Sequence, residues 1–248
     1  MARVIIAFAA LFIVYAPAQA QGLLEGKLER LGAIAPGEYL AGDNVRFAIT
    51  GGPDATMLMR FDGDAEVFVL YAGQASLGGR VLKYDSGETA LQVSGWGGMT
   101  LYTDAQPNGL PVTRTGDAAA PSLPNVSLSD MQNAAADETQ HLTYMRGLKL
   151  IVSADWNALQ SDSVTRALAF DTLENAVRGL DRYSTAPAGR ETLARRLDNV
   201  LVEPVLGKPV LRLNGRLLIV TFNPAQGYLG RASSRAIARA LNALLPKK

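Results

Sequence analysis

Between residues 43 and 103 the chain is a succession of short β-prone runs, each closed by a turn. The runs are residues 45–50, 56–61, 66–71, 80–84, 90–94 and 99–103. They are separated by Gly51-Gly52-Pro53-Asp54, Asp62-Gly63-Asp64, Gly78-Gly79, Asp85-Ser86-Gly87 and Gly95-Trp96-Gly97-Gly98. Turn residues recurring every 8 to 12 or so positions predict an antiparallel β meander, of the sandwich or small-barrel kind. Asp85-Ser86-Gly87 has the composition of a hairpin turn.

Residues 104–126 break this pattern. They are rich in Pro, Gly, Ala and Asn, with Pro107, Pro111, Pro121 and Pro124. Such a stretch reads as an exposed linker. It divides a β-rich module, residues 21–103, from a mixed α+β module, residues 127–248. In the second module, helices are expected over residues 127–144, 161–182, 187–197 and from Ser233 or Ser234 to 245. The buried side of the second of these is Val164, Leu168, Leu173, Val177 and Leu180. Strands are expected at 148–153, 200–206, 210–213 and 216–222. Asn214-Gly215 between the last two is a type I′ hairpin signal, because both residues tolerate a positive φ. The fold class is therefore α+β, a meander followed by a mixed module. No internal repeat is visible.

Ahead of these modules, residues 1–20 have three parts: a basic start at Arg3, an uncharged apolar run over residues 4–15, and Ala16-Pro17-Ala18-Gln19-Ala20. This is the pattern of a cleavable secretion leader with its cut after Ala20. The apolar run is shorter than the ~20 residues a membrane span needs, and no later stretch is apolar enough to span. The expected location is therefore periplasmic or secreted. Residues 22–31 then form one short amphipathic helix, with Leu23, Leu24, Leu28 and Leu31 on one side, ended by Pro36-Gly37.

The chain has no cysteine. A compartment that permits disulfides is thus entered without using any. Thiol catalysis, zinc–cysteine sites, iron–sulfur clusters and a cysteine-linked lipid anchor are excluded. Lys and Arg number 24 against 23 Asp and Glu. Arg3 falls in the leader, so the two signs balance in the remainder. That argues against a nucleic-acid partner, which calls for a basic excess.

The segments 80–104, 144–156 and 222–234 ("FNPAQGYLGRASS" in the last case) resemble an uncharacterised family of exported alphaproteobacterial proteins. The resemblance implies an envelope location. It carries no activity and no catalytic residues.

No arrangement of residues in the chain specifies a chemistry. His141 is the sole histidine; a Ser-His-Asp triad would have to use it, and no Gly-x-Ser-x-Gly elbow accompanies it. Asp62, Asp64 and Glu66 alternate, which would put them on one side of a strand or let them converge in a turn. They suit a calcium site, a glycosidase-like acid/base pair, or simply a polar turn. The terminal glutamate of an EF-hand is missing, and no metal or cofactor is expected. Trp96 among its glycines is either a surface aromatic for a sugar or protein, or a core side chain folded back over the meander. Arg231, Arg235 and Arg239 recur at steps of four. On a helix they form a basic stripe that can dock on phosphate groups or an acidic partner, or serve as a solvated face. The Ser233-Ser234 start of that helix could also receive an anion.

These residues fit a non-enzymatic envelope protein that binds another protein or a glycan. The rivals are a carboxylate-dependent hydrolase of cell-wall glycans and a membrane-surface factor docking through the final basic helix.

Overall fold

A computed structural model of the chain describes residues 34–52 and 55–246. The expected leader at 1–20, the expected helix at 22–31 and the lysines at 247 and 248 lie outside them. Eight strands follow one another: β1 (Gly37–Ala41), β2 (Val45–Gly51), β3 (Met57–Phe61), β4 (Phe68–Gln74), β5 (Arg80–Tyr84), β6 (Thr89–Val93), β7 (Met99–Leu101) and β8 (Leu110–Gly116). Each pairs antiparallel with the next, and β8 returns to pair with β1. The expected meander is thus a closed barrel, which has no free edge to protect.

Alternation along the strands sends one set of side chains inward. Tyr39, Ala41, Phe47, Ile49, Met59, Phe68, Leu70, Leu82, Tyr84, Leu91 and Leu101 form the barrel core. Eight strands enclose just enough room for side chains to fill. Register places Tyr39 opposite Phe47 and Phe47 opposite Phe61. Phe61 then meets Phe68 edge-on, and Phe68 meets Tyr84 the same way. Five rings therefore run as a continuous row through one side of the core, in the offset and edge-to-face contacts that the ring quadrupole favours.

Two elements differ from expectation. The stretch 104–126 is not linker throughout, because β8 lies within it and closes the barrel. Only Leu110, Val112 and Gly116 of β8 are partly covered, so the strand carries almost no apolar alternation. Pro111 has no N–H to give the ladder, and its carbonyl accepts a hydrogen bond from the Gly42 N–H, 2.9 Å away. The other is β1, which starts at Gly37, where the sequence suggests only a helix break.

The second module contains α1 (Leu128–Arg146), β9 (Ile151–Ala154), α2 (Ser163–Ser184), α3 (Pro187–Arg196), β10 (Asn199–Pro204), β11 (Leu211–Asn214), β12 (Leu217–Phe222) and α4 (Ser234–Leu244). Its sheet runs β11-β12-β10-β9, parallel except for the β11–β12 hairpin. The caps fall where the serines and aspartates stand. Ser127 and Asp130 form a capping box on α1, Asp162 caps α2, and Ser233 caps α4. Helix α2 is the centre of this module. Leu168, Leu173, Val177 and Leu180 are buried as expected, while Val164 is exposed. At Gly179 helix α4 comes so close that an added Cβ would lie 2.4 Å from Ile237.

The hairpin at Asn214-Gly215 is real but shifted by one residue. Asn214 still pairs with Leu217, which leaves Gly215 and Arg216 as the loop. Only Gly215 has a positive φ, so the type I′ expectation, which needs two, does not hold. Among the described residues no helix is long and apolar enough to cross a membrane.

Candidate binding surface

The barrel has two ends, and the chain treats them differently. One end carries the turns after β3, β5 and β7, and the second module sits on it. Glu66, from the β3–β4 turn, accepts hydrogen bonds from the Ser234 N–H and hydroxyl, each at 2.7 Å. Asp85, from the β5–β6 turn, accepts from the Ser233 N–H at 2.7 Å and from the Ser233 hydroxyl. Two barrel carboxylates thus cap the start of α4, where the free N–H groups and the helix dipole favour negative charge. Burial pushes both carboxyls up from their ordinary range, against the pull of these hydrogen bonds.

The three arginines of the suspected basic stripe are spent at the same junction. Arg231 precedes α4 and is 5% exposed. It pairs with Asp171 of α2, donates to the Val67 carbonyl at 2.7 Å and lies against the Tyr228 ring. Burial raises the Asp171 carboxyl, and Arg231 and then Arg178 pull it back. Arg235 is paired with Glu88 at 2.9 Å and Asp104 at 2.8 Å, and its guanidinium lies 4.5 Å over the Tyr84 ring. Arg239, though exposed, donates to the Ser86 carbonyl. The stripe therefore faces the barrel's own acids and carbonyls. The prospective anion site at Ser233-Ser234 is likewise filled by Asp85 and Glu66.

The carboxylate series 62–64–66 is split. Glu66 is 1% exposed and points to α4. Asp64 stays in the turn and accepts from the Glu66 N–H at 2.9 Å. Asp62 and Asp64 line a cavity of about 560 Å³ beside β1–β3, together with Glu38, Arg46 and Arg60. His141 pairs with Asp181 at 3.0 Å, and Arg146 holds the other oxygen of that carboxylate at 2.8 Å. Among the described residues, no cluster of three or more carboxylate or histidine side chains is arranged to hold a metal ion.

Among the described residues, no element of the second module covers the opposite, bare end of the barrel. Its β4–β5 turn, residues 75–79, and β6–β7 turn, residues 94–98, contain no charged residue. Trp96 at the tip of the second is 93% exposed, so the folded-back alternative does not hold. Leu77 at the tip of the first is 92% exposed. Its φ of 57° lies in the left-handed region, which leucine adopts only under strain. The two turns press together at the backbone. A Cβ on Gly95 would lie 2.5 Å from the Leu77 carbonyl oxygen, and one on Gly79 would lie 2.6 Å from that of Val93. Each turn also closes on itself. Ala75 N–H donates to Gly79 at 2.9 Å, and Ser94 N–H to Gly98 at 2.8 Å. Gly98 N–H donates in turn to the Ser94 hydroxyl at 3.0 Å. The glycines at 79 and 95 thus allow two rigid turns to abut while each presents one large apolar side chain outward.

Sequence reasoning singled out Trp96 but missed Leu77, Asp85 and Asp171. Gly78-Gly79 beside Leu77 was the available signal for the first. Nothing local marks the other two, whose partners lie far away in the chain.

Residues 20–241 match a family described as a domain of unknown function, DUF4908, and the chain belongs to that family. No curated protein and no solved structure matches the chain.

Proposed function

We propose that this chain is an exported, non-enzymatic binding protein of the cell envelope. Its barrel presents Trp96 to another envelope component, and its α+β module is the base that closes the barrel's other end. The leader pattern at residues 1–20 supports the location. The observation that carries the binding role is the 93% exposure of Trp96 on a turn held by its own hydrogen bonds. Tryptophan is highly buried on average and is enriched where partners dock. Most of the carboxylates and arginines suited to a catalytic or anion site are engaged in holding the modules together.

Co-sedimentation tests this reading. The chain is mixed separately with isolated murein sacculi and with envelope membranes, and the pelleted fraction is measured for the wild type and Trp96→Ala. The wild type is expected to pellet with at least one fraction, and Trp96→Ala to lose most of that recovery. Equal recovery of the two proteins with both fractions sinks the proposal.

A further inference from the structure

We infer that the bare end of the barrel is a membrane-contact tip, with Leu77 and Trp96 entering the headgroup region of a lipid surface. This rests on the reading of Trp96 as the binding residue and names its partner. The chemistry of the tip favours lipid over sugar or protein in three ways. First, the two turns carry no charge across residues 75–79 and 94–98, so no ionised group is dragged out of water. Second, their hairpin-closing N–H groups are satisfied within each turn, which lowers the cost of entering a region poor in water. A sugar-binding platform would instead hold polar side chains beside the ring. Third, the exposed pair is an indole and a leucine. The indole suits the boundary between headgroups and acyl chains, and the leucine side chain has no use for a hydroxyl-rich ligand.

Charge at the rim is balanced, and Arg80 is the cation placed to meet an anionic headgroup. Arg80 begins β5 directly after the Leu77 turn, is exposed, and has no ion-pair partner among the described residues. The other charges of this end are Glu38, exposed at the start of β1, and the Arg114–Asp117 pair at the end of β8. Between β2 and β3, residues 53 and 54 lie outside the described residues. A tip of two apolar side chains gives a weak, reversible attachment, weaker than a single acyl anchor.

The chain has two tryptophans, so Trp156→Phe leaves Trp96 as the sole indole. This variant is floated with vesicles of phosphatidylethanolamine and phosphatidylcholine, with and without phosphatidylglycerol, and with the same vesicles carrying bromine on the acyl chains. Trp96 emission is expected to shift to the blue and to be quenched by the brominated lipid. Leu77→Glu is expected to weaken the partition by roughly tenfold or more. Arg80→Gln is expected to weaken it only on the anionic vesicles. Flotation without quenching of Trp96 overturns the inference, because another part of the chain is then the anchor. No flotation overturns it too, as does an unchanged partition of Leu77→Glu. If Trp96 responds to sacculi and not to vesicles, this inference fails while the envelope-binding reading stands. If it responds to neither, both fail.

Discussion

The two ends of one barrel have opposite chemistries, although each is made of the same kind of tight turn. At the covered end the turns supply Glu66, Asp85, Glu88 and Asp104, and every one of these acids is engaged by the second module. At the bare end the two turns in contact supply glycine, serine, alanine, Leu77 and Trp96. Buried carboxylates and arginines lose solvation and must find specific partners, so the covered end is a single fixed arrangement. Apolar side chains on rigid turns need no particular partner geometry, so the bare end suits a surface that is not itself fixed. Substitutions at the covered end should therefore alter stability, whereas those at the bare end should alter binding and leave stability nearly untouched.

The largest effect is expected at Arg231. Replacing it by methionine leaves Asp171 buried without its ion pair and the Val67 carbonyl without its donor. Breaking one partner of a buried pair costs about 3–5 kcal/mol. The Asp171 carboxyl is already raised by burial, and loss of Arg231 raises it further. The native state of the variant then holds a proton that the unfolded chain releases. Its stability rises as pH falls toward the ordinary carboxylate range, and the deficit is greatest at neutral pH and above. Urea unfolding of wild type and Arg231→Met across the acid range checks this. A deficit that does not vary with pH contradicts the account. The double variant with Asp171→Leu should recover most of the loss.

Next in size is Tyr84, which lies under Arg235 at the covered end. Among the described residues its buried hydroxyl has no hydrogen-bond partner. Burial pushes the phenol up to about 12, outweighing the pull of Arg235. Below the unfolded value near 10 the group is neutral in both states and its contribution is fully present. Above that the unfolded chain ionises while the native one does not, so stability falls as pH rises through about 12. A shift of about two units corresponds to roughly 2–3 kcal/mol. Tyr84→Phe should remove this alkaline slope and, because it deletes an unpartnered buried hydroxyl, cost little at neutral pH. Unfolding curves collected between neutral and strongly alkaline pH distinguish the two proteins.

What the sequence could show follows the same division. Turn chemistry is local, so the hairpins at Asp62-Gly63-Asp64 and Asp85-Ser86-Gly87, and Trp96 on its glycine turn, could be read directly. The starts of the helices capped by Ser127, Asp162 and Ser233 were legible to within a residue or two for the same reason. β8 was not, because a strand with few covered side chains lacks the alternation that marks one. The junction was not legible either. Glu66 meets Ser234, and Asp85 meets Ser233, across about two-thirds of the chain. No spacing rule links residues so far apart. Arginines at steps of four imply a helix face only if the helix contains all of them, and Arg231 falls before α4 begins.

The smallest expected change in stability is also the most specific test of the contrast. Leu77 holds a left-handed backbone that glycine adopts without strain, and its side chain is almost wholly in water. Leu77→Gly therefore relieves a cost of about 1–2 kcal/mol, offset in part by the extra freedom glycine gives the unfolded chain. The net gain should be under about 1 kcal/mol, read as a higher urea midpoint with an unchanged slope. Trp96→Ala should leave the midpoint within about 0.5 kcal/mol of wild type, as for other surface sites. Both variants should lose vesicle partition even though neither is destabilised. If Leu77→Gly were less stable than wild type, the leucine would be packed, and the bare end would be part of the core it is said to leave. A strained, exposed leucine that glycine would relieve is otherwise hard to explain in a chain with glycine at the very next position. Its retention is accounted for if the side chain is used when the tip meets its surface.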